Sequence, residues 1–365
     1  MEIFKINATD YKNGAAINGI KTKLWVERYR SPGEFKFTGS PSEDLMTQLP
    51  LGSLISHIDS SDVMMVESHA IQEDTENGPE LTISGRSLTA FFDYRVSTPN
   101  NAGIYNPGTG DANQYEFLAF YPTWTQLVQL LQEQFSANAS TWNAMIDIPS
   151  HVIRTTITRT EVSQTDKISR IGPLSKGVYD FLDFIGAGIK VERPNSGHSS
   201  TLDFIVHEGL DKTTLVRFDW ALGDITSANY LWSNKTLYNG FRVRGKYYSS
   251  TIYPSGLTGF GVRMKLIDAE DIDDDPTPMT GPQLTALTNK LNARGYAEIN
   301  RNKLTSIVDA KISSKSKNVY RRDYQIGDRV YVVGNYGISA PMRVTEYAET
   351  EDESGESGFP TLSIL

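Results

Sequence analysis

At 365 residues, with 39% hydrophobic and 22% charged residues, the chain can bury a core in two or three domains and is not disordered in composition. A formal net charge of −9 with no basic block argues against a sequence-reading nucleic-acid binder, yet suits a surface past which DNA slides without sticking. Cysteine is absent, which excludes disulfides, thiolate nucleophiles and cysteine metal sites; Met1 to Asp10 lacks the apolar core of a signal peptide, and no run of about 18 apolar residues spans a bilayer.

Met1–Ile6 alternates as an edge strand, and Asn13-Gly14 signals a hairpin turn. From Leu24 the chain reads as short strands. Trp25, Glu27 and Tyr29 alternate with Leu24, Val26 and Arg28; Ser31-Pro32-Gly33 breaks the ladder, and Glu34–Phe37 resumes it. Val63–Ser68 and Leu81–Ser84 are two further strands, joined by an acidic loop from Gln72 to Glu80. Ser87 is placed to cap a short helix through Leu88, Phe91, Phe92 and Arg95. Thr98–Asn113, rich in Pro, Asn and Gly, is a candidate domain boundary.

The texture then changes. Trp124, Leu127, Val128 and Leu131 make an amphipathic helix to about Phe135, and Val152–Val162 alternates as a strand. A second stripe, Val178, Phe181, Leu182 and Ile185, is stopped by Gly186 and Gly188, with strands at Ile189–Glu192 and Leu202–His207. From Lys212 strands return at Leu215–Trp220, Leu231–Leu237 and Gly240–Lys246. An acidic linker, Ala269–Pro278, leads to a short helix with Leu284, Leu287 and Leu291 on one face, then a strand at Leu304–Ile312. Tyr324–Val332 and Met342–Tyr347 form a closing pair, in which Gly327 turns the chain, Asp328 bonds the turn, and Val330 and Val332 enter the core. Glu346–Glu356 reads as a mobile solvated hairpin loop before Phe359–Leu365.

This order predicts a mainly β fold with an α+β middle section: a first β domain at 1–110, an intermediate domain at 111–211, and a second β domain at 212–365 with a helical insertion around 268–300, a texture that two similar antiparallel β-barrels would give. No repeat of short period is visible, but the first and last thirds share a short-strand texture.

Chemistry-bearing patterns are sparse. His57, His69, His151, His198 and His207 lack zinc spacing and read as structural. Asp271-x-Asp273-x-Asp275 opens like a calcium loop, but Pro276 replaces the required glycine and Pro282 the bidentate glutamate; with Asp268, Glu270 and Asp274 it reads as a solvated linker. Gly186-Ala187-Gly188 follows a helix, so it reads as a helix C-cap rather than a dinucleotide fingerprint. Trp25, Trp124, Trp142, Trp220, Trp232, Tyr247, Tyr248 and Tyr253 can fill cores and interfaces, or stack on sugars or bases. Arg242, Arg244 and Lys246 read as a solvated strand face or as ion-pair partners, with contact to DNA phosphate as the other reading. No catalytic, cofactor or metal site is expected.

The segments "WVERYRSPGEFKF", "LPLGSLI", "SSDVMMVE" and "ISGRSLTAFFDYR", in this order from Trp25 to Arg95, resemble the opening of the siphophage baseplate-hub family, often called minor tail proteins and related in fold to the hubs of contractile-tailed phages. Phe241–Gly245 and the pair Tyr324–Val332 and Met342–Tyr347 resemble that family's later strands. The resemblance implies a non-enzymatic virion protein at the tail tip, made in the host cytoplasm, with two similar barrels per chain. It implies a homotrimer that presents six barrels to a six-fold tail and opens for genome ejection. The implied partners are the distal tail protein ring, the C-terminus of the tape-measure protein and receptor-binding or tail-fibre proteins, with DNA only in transit. Any wall-cutting activity is then expected on another protein. The competing reading is a cell-wall carbohydrate hydrolase or binding module, which needs an exposed aromatic platform and a paired-carboxylate cleft.

Overall fold

A computed structural model of the chain describes residues 1–73, 78–96, 104–105, 114–117, 123–135, 151–158, 168–170, 172–193, 201–233, 235, 237–253, 255–256, 258–270, 272, 277–301, 305–313, 316–335 and 339–364. The first third gives β1 (Ile3–Ile6), β2 (Asn13–Ala16), β3 (Ile20–Arg28), β4 (Glu34–Gly39), α1 (Glu43–Gln48), β5 (Leu54–His57), β6 (Met64–Gln72), β7 (Glu80–Ser87) and a 3-10 turn, Leu88–Tyr94. The middle gives β8 (Ile104–Tyr105), β9 (Gln114–Phe117), α2 (Thr123–Phe135), β10 (His151–Thr155), β11 (Ile168–Arg170), α3 (Leu174–Ile185), β12 (Gly188–Glu192) and β13 (Leu202–His207). The last part gives β14 (Arg217–Asp219), β15 (Ile225–Ser233), β16 (Gly240–Arg244), β17 (Ser249–Ile252), β18 (Met264–Asp268), α4 (Gly281–Arg301), β19 (Thr305–Ile312), β20 (Arg329–Val333), β21 (Ser339–Asp352) and β22 (Gly355–Ile364).

One 13-stranded sheet spans both ends of the chain. Its path is β15-β19-β22-β21-β3-β4-β7-β6-β5-β1-β2, with β20 against β21 and β14 against β20. The fold is thus mainly β, as the alternation implies.

The path repeats itself. β5, β6, β7, β4 and β3 lie side by side in that order, each antiparallel to the next; β20, β21, β22, β19 and β15 do the same. Irregularities repeat as well. The register shift between Val66 and Ser68 recurs between Val344 and Glu346, and that between Ile20 and Thr22 recurs between Ile225 and Ser227. A bulge redirects its strand, so matched bulges make matched curvature.

The turns ahead of β5 and β20 carry the same bonds. Gly52 N–H donates to Val66 O (2.8 Å), Val66 N–H to Ser53 O (2.9 Å) and Ser53 N–H to Pro50 O (3.0 Å). Gly327 N–H donates to Val344 O (2.8 Å), Val344 N–H to Asp328 O (2.9 Å) and Asp328 N–H to Gln325 O (3.1 Å). The halves differ at the flank, where β1 runs antiparallel to β5 but β14 runs parallel to β20. They also differ between their first two matched strands. β3 and β4 join through a short turn, whereas β15 and β19 are separated by the sheet β17-β16-β18 and α4, with Val243, Ala269, Leu287 and Leu291 as a core of their own.

Both turn glycines have positive φ, Gly52 at 81° and Gly327 at 91°, but their surroundings differ. A Cβ on Gly52 meets nothing within 4 Å; one on Gly327 falls 2.6 Å from the Tyr29 ring and 3.1 Å from His207. Gly52→Ala is expected to cost about 1 kcal/mol, the penalty of the left-handed backbone alone. Gly327→Ala is expected to cost about 3 kcal/mol or more, because the ring must also move. Equal midpoints of the two variants in denaturant would refute the distinction.

The middle section packs on the first half. Its sheet β10-β13-β12, with β10 parallel to β13, joins α2 and α3 in a core that also takes in Ile6, Tyr11, Val63, Leu88 and Phe92. The two expected helices and both following strands are present.

Several expectations are corrected. The first hairpin turn falls at Asn7–Lys12 rather than Asn13-Gly14, with Tyr11 at φ 53° and its N–H on Asn7 O. Ser87 makes no helix cap; its Oγ accepts from Gly33 N–H (2.9 Å), tying the 3-10 turn to the hairpin. The strand expected at Leu231–Leu237 starts earlier, at Ile225, and α4 is a long helix of 21 residues. Glu346–Glu356 is the expected hairpin but not a solvated loop: Glu346 to Asp352 pair with β22 on one side, and Glu346 to Glu351 pair with β3 on the other. The cations of the first half explain this. Arg28 binds Glu346 (2.5 Å), Lys23 binds Glu351 (3.0 Å), and the N-terminal ammonium reaches Glu351 and Glu356.

Candidate functional site

The two halves meet where β3 pairs with β21, from Arg28↔Glu346 to Lys23↔Glu351. Beside this ladder lies a buried polar cluster. Alternation turns Glu27 inward with Trp25 and Tyr29, and its carboxylate is fully engaged. It accepts from Ser60 Oγ (2.6 Å), Trp25 Nε1 (3.2 Å), Tyr320 Oη (2.5 Å) and Arg321 (2.8 Å). Arg321 also binds Glu349 at 2.8 Å. Its backbone is left-handed, φ 65°, a conformation that non-glycine residues adopt only when their surroundings hold them there.

The electrostatics follow from enclosure. Burial pushes the Glu27 carboxyl up, but the Arg321 charge and the donors from Ser60, Tyr320 and Arg321 outweigh it and hold it below the usual value. Asp62 is half-buried as a residue but has an enclosed carboxyl; burial and the Glu27 charge push it well above the usual range. Burial likewise raises Glu349 despite Arg321, and raises the Tyr320 phenol. His57 is 1% exposed, and neither ring nitrogen has a hydrogen-bond partner among the described residues. Burial, then the Arg321 charge, lowers it to about 4.

Tyr29 extends the joint to the middle section. Its N–H donates to Thr345 O (2.9 Å), its carbonyl accepts from Ile189 N–H (3.0 Å), and its hydroxyl donates to Gly186 O and His207 O (both 3.2 Å). Arg343 donates to the same hydroxyl (2.9 Å), to Gly327 O (2.9 Å) and to Glu208 O. The His207 ring meets Tyr29 edge-on at 5.3 Å; burial, then the Lys190 and Arg343 charges, lowers its imidazole to about 3. A cavity of about 270 Å³ opens among Glu27, Asp62, Lys190, His207, Tyr320 and Arg321. The arrangement is a joint between three parts of the chain. The Glu27 carboxylate is saturated with donors and paired with a guanidinium, so it lacks the free basicity that proton transfer to a substrate needs.

The residues singled out in the sequence are scattered. His69 bonds Leu49 O (2.7 Å), His151 packs edge-on against Phe204, and His198 lies outside the described residues. Among the described residues no three His, Asp or Glu converge on a metal position. Asp271 and Asp273–Asp275 lie outside the described residues, while Asp268 pairs with Arg244 (2.8 Å). Arg242 bonds Thr251 and Ser249 across the sheet, and Lys246 lies over the Tyr247 ring. Gly186 is the C-cap of α3, φ 69°, with its N–H on Asp183 O and Leu182 O; Gly188 lets the backbone pass against the Tyr29 ring. Trp25 and Trp124 are buried and Trp220 packs on the second-half core, so these three are not sugar platforms. Tyr247 and Tyr253 are exposed and Tyr248 packs on the α4 core; Trp142 and the Trp232 side chain lie outside what is described. Sequence reasoning missed the Glu27–Arg321 cluster. Its one signal was a glutamate in phase with Trp25 and Tyr29 on the inward face.

Several solved structures share this fold. The chain is similar to the 43 kDa tail protein of prophage MuSo2 from Shewanella oneidensis (TM-score 0.60, 11% identity, 99% of this chain and 97% of that one). It is also similar to a tail protein from Neisseria meningitidis MC58 (0.56, 13%, 99% and 96%) and to prophage tail protein gp18 from Listeria monocytogenes EGD-e (0.54, 10%, 100% and 94%). At such identity the likeness is one of fold. The chain belongs to the Siphovirus ReqiPepy6 Gp37-like protein family, whose model matches residues 3–361. No curated protein matches the sequence.

Proposed function

We propose that the chain is a structural hub subunit of a long-tailed phage, a virion component at the tail tip. Three copies form a ring that closes the tube, converts six-fold to three-fold symmetry and opens for DNA. The observation that carries this is the internal repeat: two modules with the same strand order, bulges and turn, joined edge to edge. Two like modules per chain let three chains present six like surfaces. In this reading residues 1–110 and 212–365 are the hub modules, and residues 111–211 project from the ring. The ring contacts the distal tail protein, the tape-measure C-terminus and receptor-binding proteins, and has no catalytic role. Native mass spectrometry and negative-stain imaging test it. Three-copy rings with six similar lobes are expected; a monomer at every concentration, or a two-fold dimer, would refute it.

A further inference from the structure

The joint between the two modules is itself a template. The last strand of the first module, β3, lies along the outer half of β21 in the second, beyond the point where β20 stops. The same two elements recur in the other combination without a strand between them among the described residues. β15, the counterpart of β3, is the terminal strand of the sheet, with β19 as its one neighbouring strand among the described residues. β6, the counterpart of β21, is paired with β5 only at Met64 and Met65. Beyond the bulge, Ser68 to Gln72 have β7 on one side and no strand on the other among the described residues. This half of β6 is exposed, Ile71 by 49%, whereas the matching half of β21 is half-buried under β3.

We infer that β15 of one copy pairs antiparallel with the outer half of β6 of a second copy of this chain, repeating between molecules the β3–β21 ladder within one. The inference rests on the hub reading above. The register follows from the template. Arg28↔Glu346 through Leu24↔Thr350 translate, strand position by strand position, into Ser233↔Ser68, Trp232↔His69, Leu231↔Ala70, Tyr230↔Ile71 and Asn229↔Gln72. The occupant is a second copy because the missing edge and the unfilled flank are the two halves of a joint the chain already makes once. A head-to-tail contact of this kind propagates until it closes. With six equivalent joints, three within chains and three between them, closure falls at three copies.

The chemistry of the second joint differs in a way that suits association. The positions of Glu27 and Glu349 become Trp232 and Ile71, and Met46 stands as far ahead of Gly52 as Arg321 does of Gly327. The charged cluster is affordable within one chain, where folding brings its members together once. Separate molecules would have to desolvate those charges at each encounter, which apolar positions avoid. Backbone donors and acceptors at the two strand edges supply direction and register.

Absence of native cysteine makes the test direct. A chain carrying Ala70→Cys and Leu231→Cys places two thiols across the proposed ladder, within disulfide range for facing residues of antiparallel strands. Mild oxidation is expected to give dimers, then a covalent species that stops at three copies. Ala70→Cys with Asn229→Cys, two positions out of register, is expected to link at least tenfold less. Ile71→Asp in the otherwise native chain is expected to keep the melting temperature while weakening association at least tenfold. Three-copy rings without in-register cross-linking, or with equal linking out of register, would overturn the pairing and leave the hub reading standing. A native chain that neither associates nor cross-links at any concentration would overturn both.

Discussion

Replacing Arg321 with methionine is expected to lower the stability of the chain by about 3–5 kcal/mol, the range for breaking a buried ion pair from one side. The substitution leaves the left-handed backbone position equally strained, so it isolates the charge. It strips the cation from two enclosed carboxylates, Glu27 and Glu349. Glu27 keeps Ser60, Trp25 and Tyr320 as donors, but these stabilise an anion whose counter-charge has gone. Glu27→Gln alone is expected to cost less, because Arg321 retains Glu349. In the double variant Glu27→Gln, Arg321→Met, part of the loss should return, since one stranded charge is removed along with its partner. Urea titrations of the four proteins give a double-mutant cycle, with an expected coupling of about 1–3 kcal/mol. Strict additivity would mean that the pair is not a unit, and the joint would have to be held by the β3–β21 ladder alone.

That cluster shows what a sequence of this kind displays and what it hides. The strands were legible because burial on one face leaves a period-two trace, as in Leu81-Thr82-Ile83 and Val330-Tyr331-Val332. The turn before β20 was legible because its special backbone demands glycine at Gly327, and Asp328 closes it by accepting from Gln325 N–H (3.0 Å) and Leu210 N–H (2.7 Å). The repeat was not legible beyond a shared texture. It is written in backbone hydrogen bonds and bulges, which many side chains satisfy, so matched positions carry Trp25 and Tyr230, or Tyr347 and His69. The acidic hairpin at Glu346–Glu356 was misread for a related reason. Charge density favours solvation only when no cations converge, and here Arg28, Lys23 and the terminal ammonium come from the opposite end of the chain.

Acidification is expected to loosen the joint before any carboxylate reaches its ordinary range. His57 and His207 are neutral in the folded chain, lowered to about 4 and about 3, while in the unfolded chain each takes up a proton near 6.5. A base with a depressed folded-state value costs nothing above 6.5. Below it the unfolded state binds the extra proton, so stability falls with falling pH, by about 1.4 kcal/mol per unit for each group. Across the two units from pH 6.5 to 4.5 the pair removes about 5 kcal/mol, comparable to the whole stability of many domains.

The groups around them modify this slope. Around His57 stand Asp59, Glu349, Glu27, Arg321 and the terminal ammonium; around His207, Lys190, Arg343 and Tyr29. Asp62 and Glu349, both raised, keep a proton in the folded state that the unfolded state has lost, so they return some stability as pH falls. Glu27, lowered, adds its loss below about 4.5, where the unfolded carboxyl begins to protonate. The expectation is that His57→Leu raises the melting temperature at pH 4.5 relative to that at pH 6.5, compared with the native chain, by about half of the histidine contribution, and His57→Leu with His207→Leu by most of it. A pH profile unchanged by either histidine substitution would show that the two imidazoles find proton partners on protonation, and that the joint is not sealed from water. If the double variant loses that contribution, the part of the fold that yields first in acid is the meeting point of both modules and the middle section. Separation of the three parts should then precede loss of the strands, which near- and far-ultraviolet circular dichroism followed together would resolve.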